Sequence, residues 1–433
     1  MCNGTIMDKL ISFSIPLMLS GILQLMFNAV DIVVVGRFSG SQALAAVGST
    51  TALINVFTNL FIGISLGANV LAARYYAAGK TKEMSETVHT AIALALVSGV
   101  AMAVIGVVFA RGALEIMGTP DDVIAKSTLY MRIYFCGMPF FMMYNYGAAI
   151  LRAVGDTKRP LIFLIVSGVI NAVLNLFLVI GFHLDVAGVG IATVISQLVS
   201  CILVLRCLHH TESSYQLHLA KLRIRSVYLK QIFEVGVPAG IQSTVINISN
   251  AMLQSSVNSF GSIAMAGYTA SNNIFGFLYV SVNSFTQACM SFTSQNYGVK
   301  KLKRMDRVLI DCMILSVVVT LILGSSVYIF GPELLHIYSN QADVIKYGME
   351  IFSYTTVTYF LCGLMDLFPG ALRGMGYSTV PMILSIIGTV GVRIIWIYGL
   401  FPSHRSLTFL FLSYPVSWIC LLYTSDAADD LTR

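Results

Sequence analysis

Apolar residues run along this chain for roughly twenty positions at a time, and polar residues gather in short breaks between the runs. A helix of about 20 apolar residues crosses a hydrocarbon layer. The runs are continuous and do not alternate with period two, which selects helices over a transmembrane barrel. Inside lipid those are the only two options, because the backbone must satisfy its own polar groups. The pattern predicts twelve spans, at roughly 10–35, 48–77, 86–111, 126–151, 159–182, 187–208, 228–256, 265–296, 306–330, 343–371, 379–401 and 407–423. One polar segment of any length separates them, "HHTESSYQLHLAKLRIRSV" at 209–227, close to the midpoint of the 433 residues.

Composition agrees. The chain is 57% hydrophobic and 11% charged, with mean hydropathy +0.81, where a soluble protein carries about 25% charged residues. Eight cysteines form no CxxC and sit mostly in apolar runs, so they read as small packing residues. No HExxH or paired-Asp motif occurs, which argues against an enzyme or a cofactor. Charge distribution sets orientation. With a cytoplasmic N-terminus, 18 Lys and Arg fall in or beside the inner connections and six beside the outer ones. The positive-inside rule then predicts a multi-pass protein of the cell (inner) membrane with both termini cytoplasmic. Confinement of the basic clusters to one side argues against nucleic acid as a partner. Membrane lipid is the expected surrounding, and the chain is expected to act as a monomer.

The chain also repeats itself. At an offset of 221 residues "LRAVGDTKRPLI" (151–162) falls on "LRGMGYSTVPMI" (372–383), and "RYYAAGKTKEM" (74–84) on "QNYGVKKLKRM" (295–305). An offset of 222 places Ile15-Pro16 on Val237-Pro238. Shared Pro, Arg and Gly between the spans are not what apolar resemblance alone predicts. Six spans per copy is an even number, so the copies insert the same way up. The predicted architecture is therefore all-α and integral to the membrane, two parallel six-helix repeats related by a pseudo-twofold along the membrane normal. That is a transporter plan, with alternating access. The boundaries read as an N-terminal half at 1–208, a cytoplasmic linker at 209–227 and a C-terminal half at 228–420. Residues 421–433 end in "YTSDAADDLTR", which interrupts the last apolar run and resembles translated cloning sequence, so they are read as a non-native tail.

Few charges lie within the spans. Asp31 stands about two-thirds along span 1 in "QLMFNAVDIVVVGRFSG". A charge at the bilayer centre costs roughly 2.5–3.5 kcal/mol on insertion scales and usually faces the bundle interior with a task. Arg37 is six residues away, a spacing that gives no close helical pair. Asp366 in span 10 and Arg393 in span 11 suggest an ion pair within the second half. Neutral polar residues gather in the first half: Gln24 and Asn28 on span 1, Asn145 on span 4, Asn171 and Asn175 at i, i+4 on span 5, and Thr193 on span 6. Such residues can bond helix to helix, or as a set surround Asp31 in a polar cavity.

"VDIVVVGRFSG" after an Ile-Pro start, "LRAVGDTKRP" after span 4 and "NAVLNLFLVIGF" in span 5 resemble the multidrug and toxic compound extrusion (MATE) family over about residues 5–420. The resemblance implies an antiporter that exports organic cations, drugs or other amphipathic compounds by alternating access while H⁺ or Na⁺ enters. It implies that Asp31 is the coupling-ion residue, with Asn145, Asn171 and Thr193 lining the same cavity. One position departs: similar members carry a second acid on span 5 where this chain has Asn175. Na⁺ at Asp31 then relies on neutral Asn and Thr oxygens, which can still ligate it. The second-half acids of other members are unmatched, since Asp366 stands about four residues nearer the "LRG". Asp366, Gln24 and Asn28 remain candidates for substrate contact. Two rival readings are a lipid-linked oligosaccharide flippase of the same superfamily, which favours a basic cavity, and a membrane sensor without transport.

Overall fold

The computed structural model describes the backbone of residues 1–432; the side chains of Ser41, Ala52 and 423–432 lie outside what is described, and with them most of the predicted non-native tail. Leu421, at the start of that stretch, is buried beside Gly388.

Each predicted span is occupied by helix. The first repeat contains α1 (Met7–Phe38), α2 (Gly40–Ala77), α3 (Thr81–Ile116), α4 (Asp121–Cys136), α5 (Met138–Ala153), α6 (Lys158–Leu176) and α7 (Asp185–His209). The second contains α8 (Ser226–Asn258), α9 (Ser262–Gly298), α10 (Leu302–Ile329), the short α11 (Gly331–His336), α12 (Ala342–Thr355), α13 (Tyr359–Gly374), α14 (Thr379–Ser385), α15 (Val392–Ile395), α16 (Leu407–Phe411) and α17 (Ser413–Thr432). No strand occurs among the described residues. Span 4 divides into α4 and α5 at Gly137, and span 10 into α12 and α13 with a bend of 53°. Among the described residues, seven helices, or eight with that bent pair as one, are individually apolar and long enough to cross a membrane. The other four expected spans fall below that test for visible reasons. One is divided at Gly137, α8 and α9 carry many Ser, Thr, Asn and Gln, and the last is short.

Compactness divides the chain differently from the linker. One unit is Leu19–Gly240; the other is Met1–Met18 with Ile241–Arg433. The N-terminal end of α1 thus packs with the second repeat and that of α8 with the first. Each change-over lies just after a helical proline, Pro16 in α1 and Pro238 in α8. The packing explains the exchange. Leu10, Phe13 and Leu17 are buried with Phe285, Phe292 and Phe368, and the Phe13 and Phe292 rings meet edge to face at 5.6 Å. In the other unit, "GISLG" (63–67) on α2 meets "GVPAG" (236–240) on α8. A Cβ on Gly67 would lie 2.1 Å from the Ile232 carbonyl oxygen, and one on Gly63 would lie 2.3 Å from the Gly240 Cα. Two GxxxG faces let the backbones touch, the association mode that lipid-embedded helices favour because lipid supplies no hydrophobic drive between them.

The linker is held against the N-terminal end of α3. Glu86 accepts from Arg223 and Arg225, and His89 Nε2 accepts the His218 backbone N–H at 3.1 Å.

The Gly67 contact is backbone against backbone, so no rotamer change relieves it. Gly67→Leu is expected to destabilise the solubilised protein by about 1–3 kcal/mol or more, read as a lower thermal unfolding midpoint. Gly112→Ala, whose Cβ would enter open space, should leave the midpoint unchanged or raised.

Candidate functional site

The site begins with a glycine. Gly168 on α6 has no Cβ, and one built there would lie 1.9 Å from the Phe27 ring of α1. Phe27 therefore lies directly on the α6 backbone. Asp31 stands one turn beyond Phe27, and Asn171 and Asn175 stand three and seven residues beyond Gly168 on the same helical face. The close approach thus delivers the carboxylate to the two amides. Asn175 Nδ2 donates to Asp31 Oδ1 in a short hydrogen bond and to Asn171 Oδ1 at 3.2 Å. Both amides are buried, Asn171 with 5% and Asn175 with 0% of its surface exposed. Asn175 Oδ1 has no partner. A buried acceptor left unpaired costs about 1–3 kcal/mol, so the site carries spare acceptor capacity beside a carboxylate.

Asp31 itself is half-buried and makes no ion pair among the described residues; Arg37 is exposed. Tyr130 and Tyr134 of α4 lie within electrostatic reach of it. They were not singled out from sequence, because nothing in their spacing distinguishes them from packing residues. Two of the remaining candidates donate within their own helices. Asn145 Nδ2 donates to the Phe141 carbonyl at 2.8 Å and Thr193 Oγ1 to the Val189 carbonyl at 2.9 Å, each on its own helix. Such bonds to the carbonyl four residues back satisfy a donor locally and leave the side-chain oxygens as acceptors. Gln24 and Asn28 are exposed on the face of α1 that carries Asp31. α6 passes into π-helix at Phe177–Gly181, which begins two residues after Asn175, and π segments are frequent at functional sites.

The second repeat separates two residues that the sequence suggested as an ion pair. Asp366 and Arg393 make none. Asp366 lies by Tyr279 and Arg373, and Arg373 donates to Gln242 Oε1, whose Nε2 donates to Ser385 Oγ at 2.7 Å. Arg393 lies instead in α15, a single turn between π segments Ile386–Gly391 and Trp396–Leu400. Its Nη1 donates to Asn250 Oδ1 at 2.7 Å and reaches Ser249 Oγ at 3.4 Å, and its guanidinium lies 4.8 Å from the centre of the Tyr414 ring. The residue is 3% exposed, and its Nε has no partner. A buried charge without an opposite charge costs several kcal/mol. Asn250 could have been found from sequence, since the offset of 222 that aligns the two prolines also aligns it with Asn28.

Comparison with known proteins places the chain in a family. The MatE family profile matches twice, at residues 16–177 and 238–398, so both repeats carry it. Over 389 residues the chain is 30% identical to the "Probable multidrug resistance protein YoeA" of Bacillus subtilis (strain 168), covering 88% of this chain and 84% of that protein. Over 406 residues it is 23% identical to the "Multidrug export protein MepA" of Staphylococcus saprophyticus, covering 92% and 89%. It is similar in fold to a solved outward-facing multidrug resistance MATE family transporter of the MOP superfamily. The TM-score is 0.91 at 19% identity, over 99% of this chain and 96% of that one.

The Phe27–Gly168 contact yields a coupled prediction. Gly168→Ala is expected to cost about 1–3 kcal/mol by overpacking. In a Phe27→Ala background the same substitution should cost much less, because the ring it meets is gone. A double-mutant cycle on unfolding of the solubilised protein measures the difference; additive effects would show that the two helices do not meet there.

Proposed function

The chain belongs to the MatE family of multi-pass membrane transporters, and from that premise we propose that it exports amphipathic small molecules, drugs among them, in exchange for inward H⁺ or Na⁺. One observation carries the coupling: Asp31, half-buried in α1, is bonded to a neutral amide and not to a cation. A carboxylate without a fixed counter-charge is free to exchange its neutralising partner. The unpaired Asn175 Oδ1 supports both choices. It could accept from a protonated Asp31 after the amide turns over, or join Asp31 and Asn171 Oδ1 as a hard oxygen ligand for Na⁺.

The cycle then runs on unequal binding. The ion neutralises Asp31 from the outer side and stabilises the state that releases cargo. Release of the ion to the cytoplasm returns the charge and the state that loads cargo. A ligand shifts such an equilibrium only by its difference in affinity for the two states. A membrane potential of about 100 mV adds roughly 2.3 kcal/mol per inward charge. The placement is the cell membrane with both termini cytoplasmic, supported by the Lys and Arg distribution along the connections. A single chain carries both repeats, so a monomer suffices.

Asp31→Asn is expected to insert and fold normally but to lose ion-driven export. The measurement is dye or norfloxacin flux in proteoliposomes under an imposed H⁺ gradient and, separately, an imposed Na⁺ gradient. Wild-type flux under one gradient and not the other assigns the ion. Driven export retained by the variant would remove Asp31 from the coupling role. Flux of a lipid-linked oligosaccharide in place of the dye would favour a flippase.

A further inference from the structure

We propose that the second repeat holds an anion subsite centred on Arg393, which takes the carboxylate or sulfonate of an organic anion with an apolar body. The inference rests on the transport reading only for its biological use; binding can be tested without transport.

Three observations converge. Arg393 has no carboxylate partner among the described residues, and its Nε is buried and unpaired. The groups that do touch it are neutral and hold the guanidinium without discharging it: Asn250 Oδ1, Ser249 Oγ and the Tyr414 ring. Tyr414 is itself fixed by a 2.8 Å hydroxyl bond to Tyr268, so the aromatic face under the cation is pre-positioned. The third observation is access. Asn250 is exposed, and with Ser243 and Asn247 it forms a polar stripe along α8 at spacings of four and three residues. Amide groups exposed at mid-span are tolerated where they face a watery cavity rather than lipid. The stripe therefore marks the side from which a ligand reaches Arg393. A guanidinium with a free N–H and a planar fork suits carboxylate and sulfonate oxygens, and the tyrosines supply an apolar surface for the remainder of the ligand.

The two repeats thus differ in polarity at related places. On aligned helices the first presents an acid, Asp31, bonded by an asparagine of span 5. The second presents a base, Arg393 of span 11, bonded by an asparagine of span 7.

The test is isothermal titration of the solubilised full-length protein with 1-naphthalenesulfonate and with uncharged 1-naphthalenesulfonamide. The sulfonate should bind wild type at least about tenfold more tightly than the sulfonamide, a difference of about 1.4 kcal/mol. Asn250→Asp introduces a carboxylate of nearly the same shape onto Arg393 and should erase that preference while keeping the thermal midpoint. Arg393→Gln should do the same by removing the charge. Asp31→Asn should leave sulfonate affinity unchanged even where ion-driven export is lost, so the two proposals fail independently. Equal binding of the two probes to wild type, no binding of either, or wild-type sulfonate affinity in Asn250→Asp overturns the subsite.

Discussion

In this molecule, polar chemistry depends on where two helix backbones can touch. Between lipid-embedded helices, close approach is limited by side-chain bulk, and only glycine removes it. Gly168 admits the Phe27 ring, and the register set there brings Asp31 onto Asn175. Gly63 and Gly67 against Gly236 and Gly240 do the same for α2 and the start of α8. A methyl group at either place lies within about 2 Å of the opposing helix, so the functional groups are only as well placed as these bare backbone contacts allow.

The polar residues then divide by how their hydrogen bonds are spent. Asn145 and Thr193 donate to carbonyls of their own helices, which leaves their side-chain oxygens as acceptors. Asn171, Asn175 and Asp31 bond to one another across helices and keep an acceptor in reserve. Arg393 is bonded yet unneutralised. Capacity left unpaired in a low-dielectric setting is costly, and a transporter can use that cost, since an ion or ligand that relieves it binds selectively to the state in which it is exposed.

The exchange of α1 and α8 ends between units has a mechanical consequence. Each of these helices is anchored at its N-terminal end in the packing of one repeat and beyond its proline in that of the other. Proline lacks the N–H that would bond the preceding turn, so the helix is weakest near the change-over. Both helices also carry the exposed polar faces, Gln24 and Asn28 on α1 and Asn247 and Asn250 on α8.

Hydropathy and the 221-residue offset were enough to read the helical class, the twelve spans and the duplication, because these depend on the lipid solvent and on repetition, both written in one dimension. Asp31 was legible for the same reason, as an acid that lipid should exclude, and Asn171 with Asn175 from their i, i+4 spacing. The partners were not. Asp366 and Arg393 looked matched by charge, but pairing depends on helix rotation and rise, and the tertiary structure gives Arg393 to Asn250 and sets Asp366 beside Tyr279 and Arg373. The glycines at 67 and 168 gave no sign of their importance, since a missing side chain acquires meaning only from the atom that occupies its place. Along this chain the sequence by itself determined which residues the membrane would resent; the packing of helices decided which of them meet.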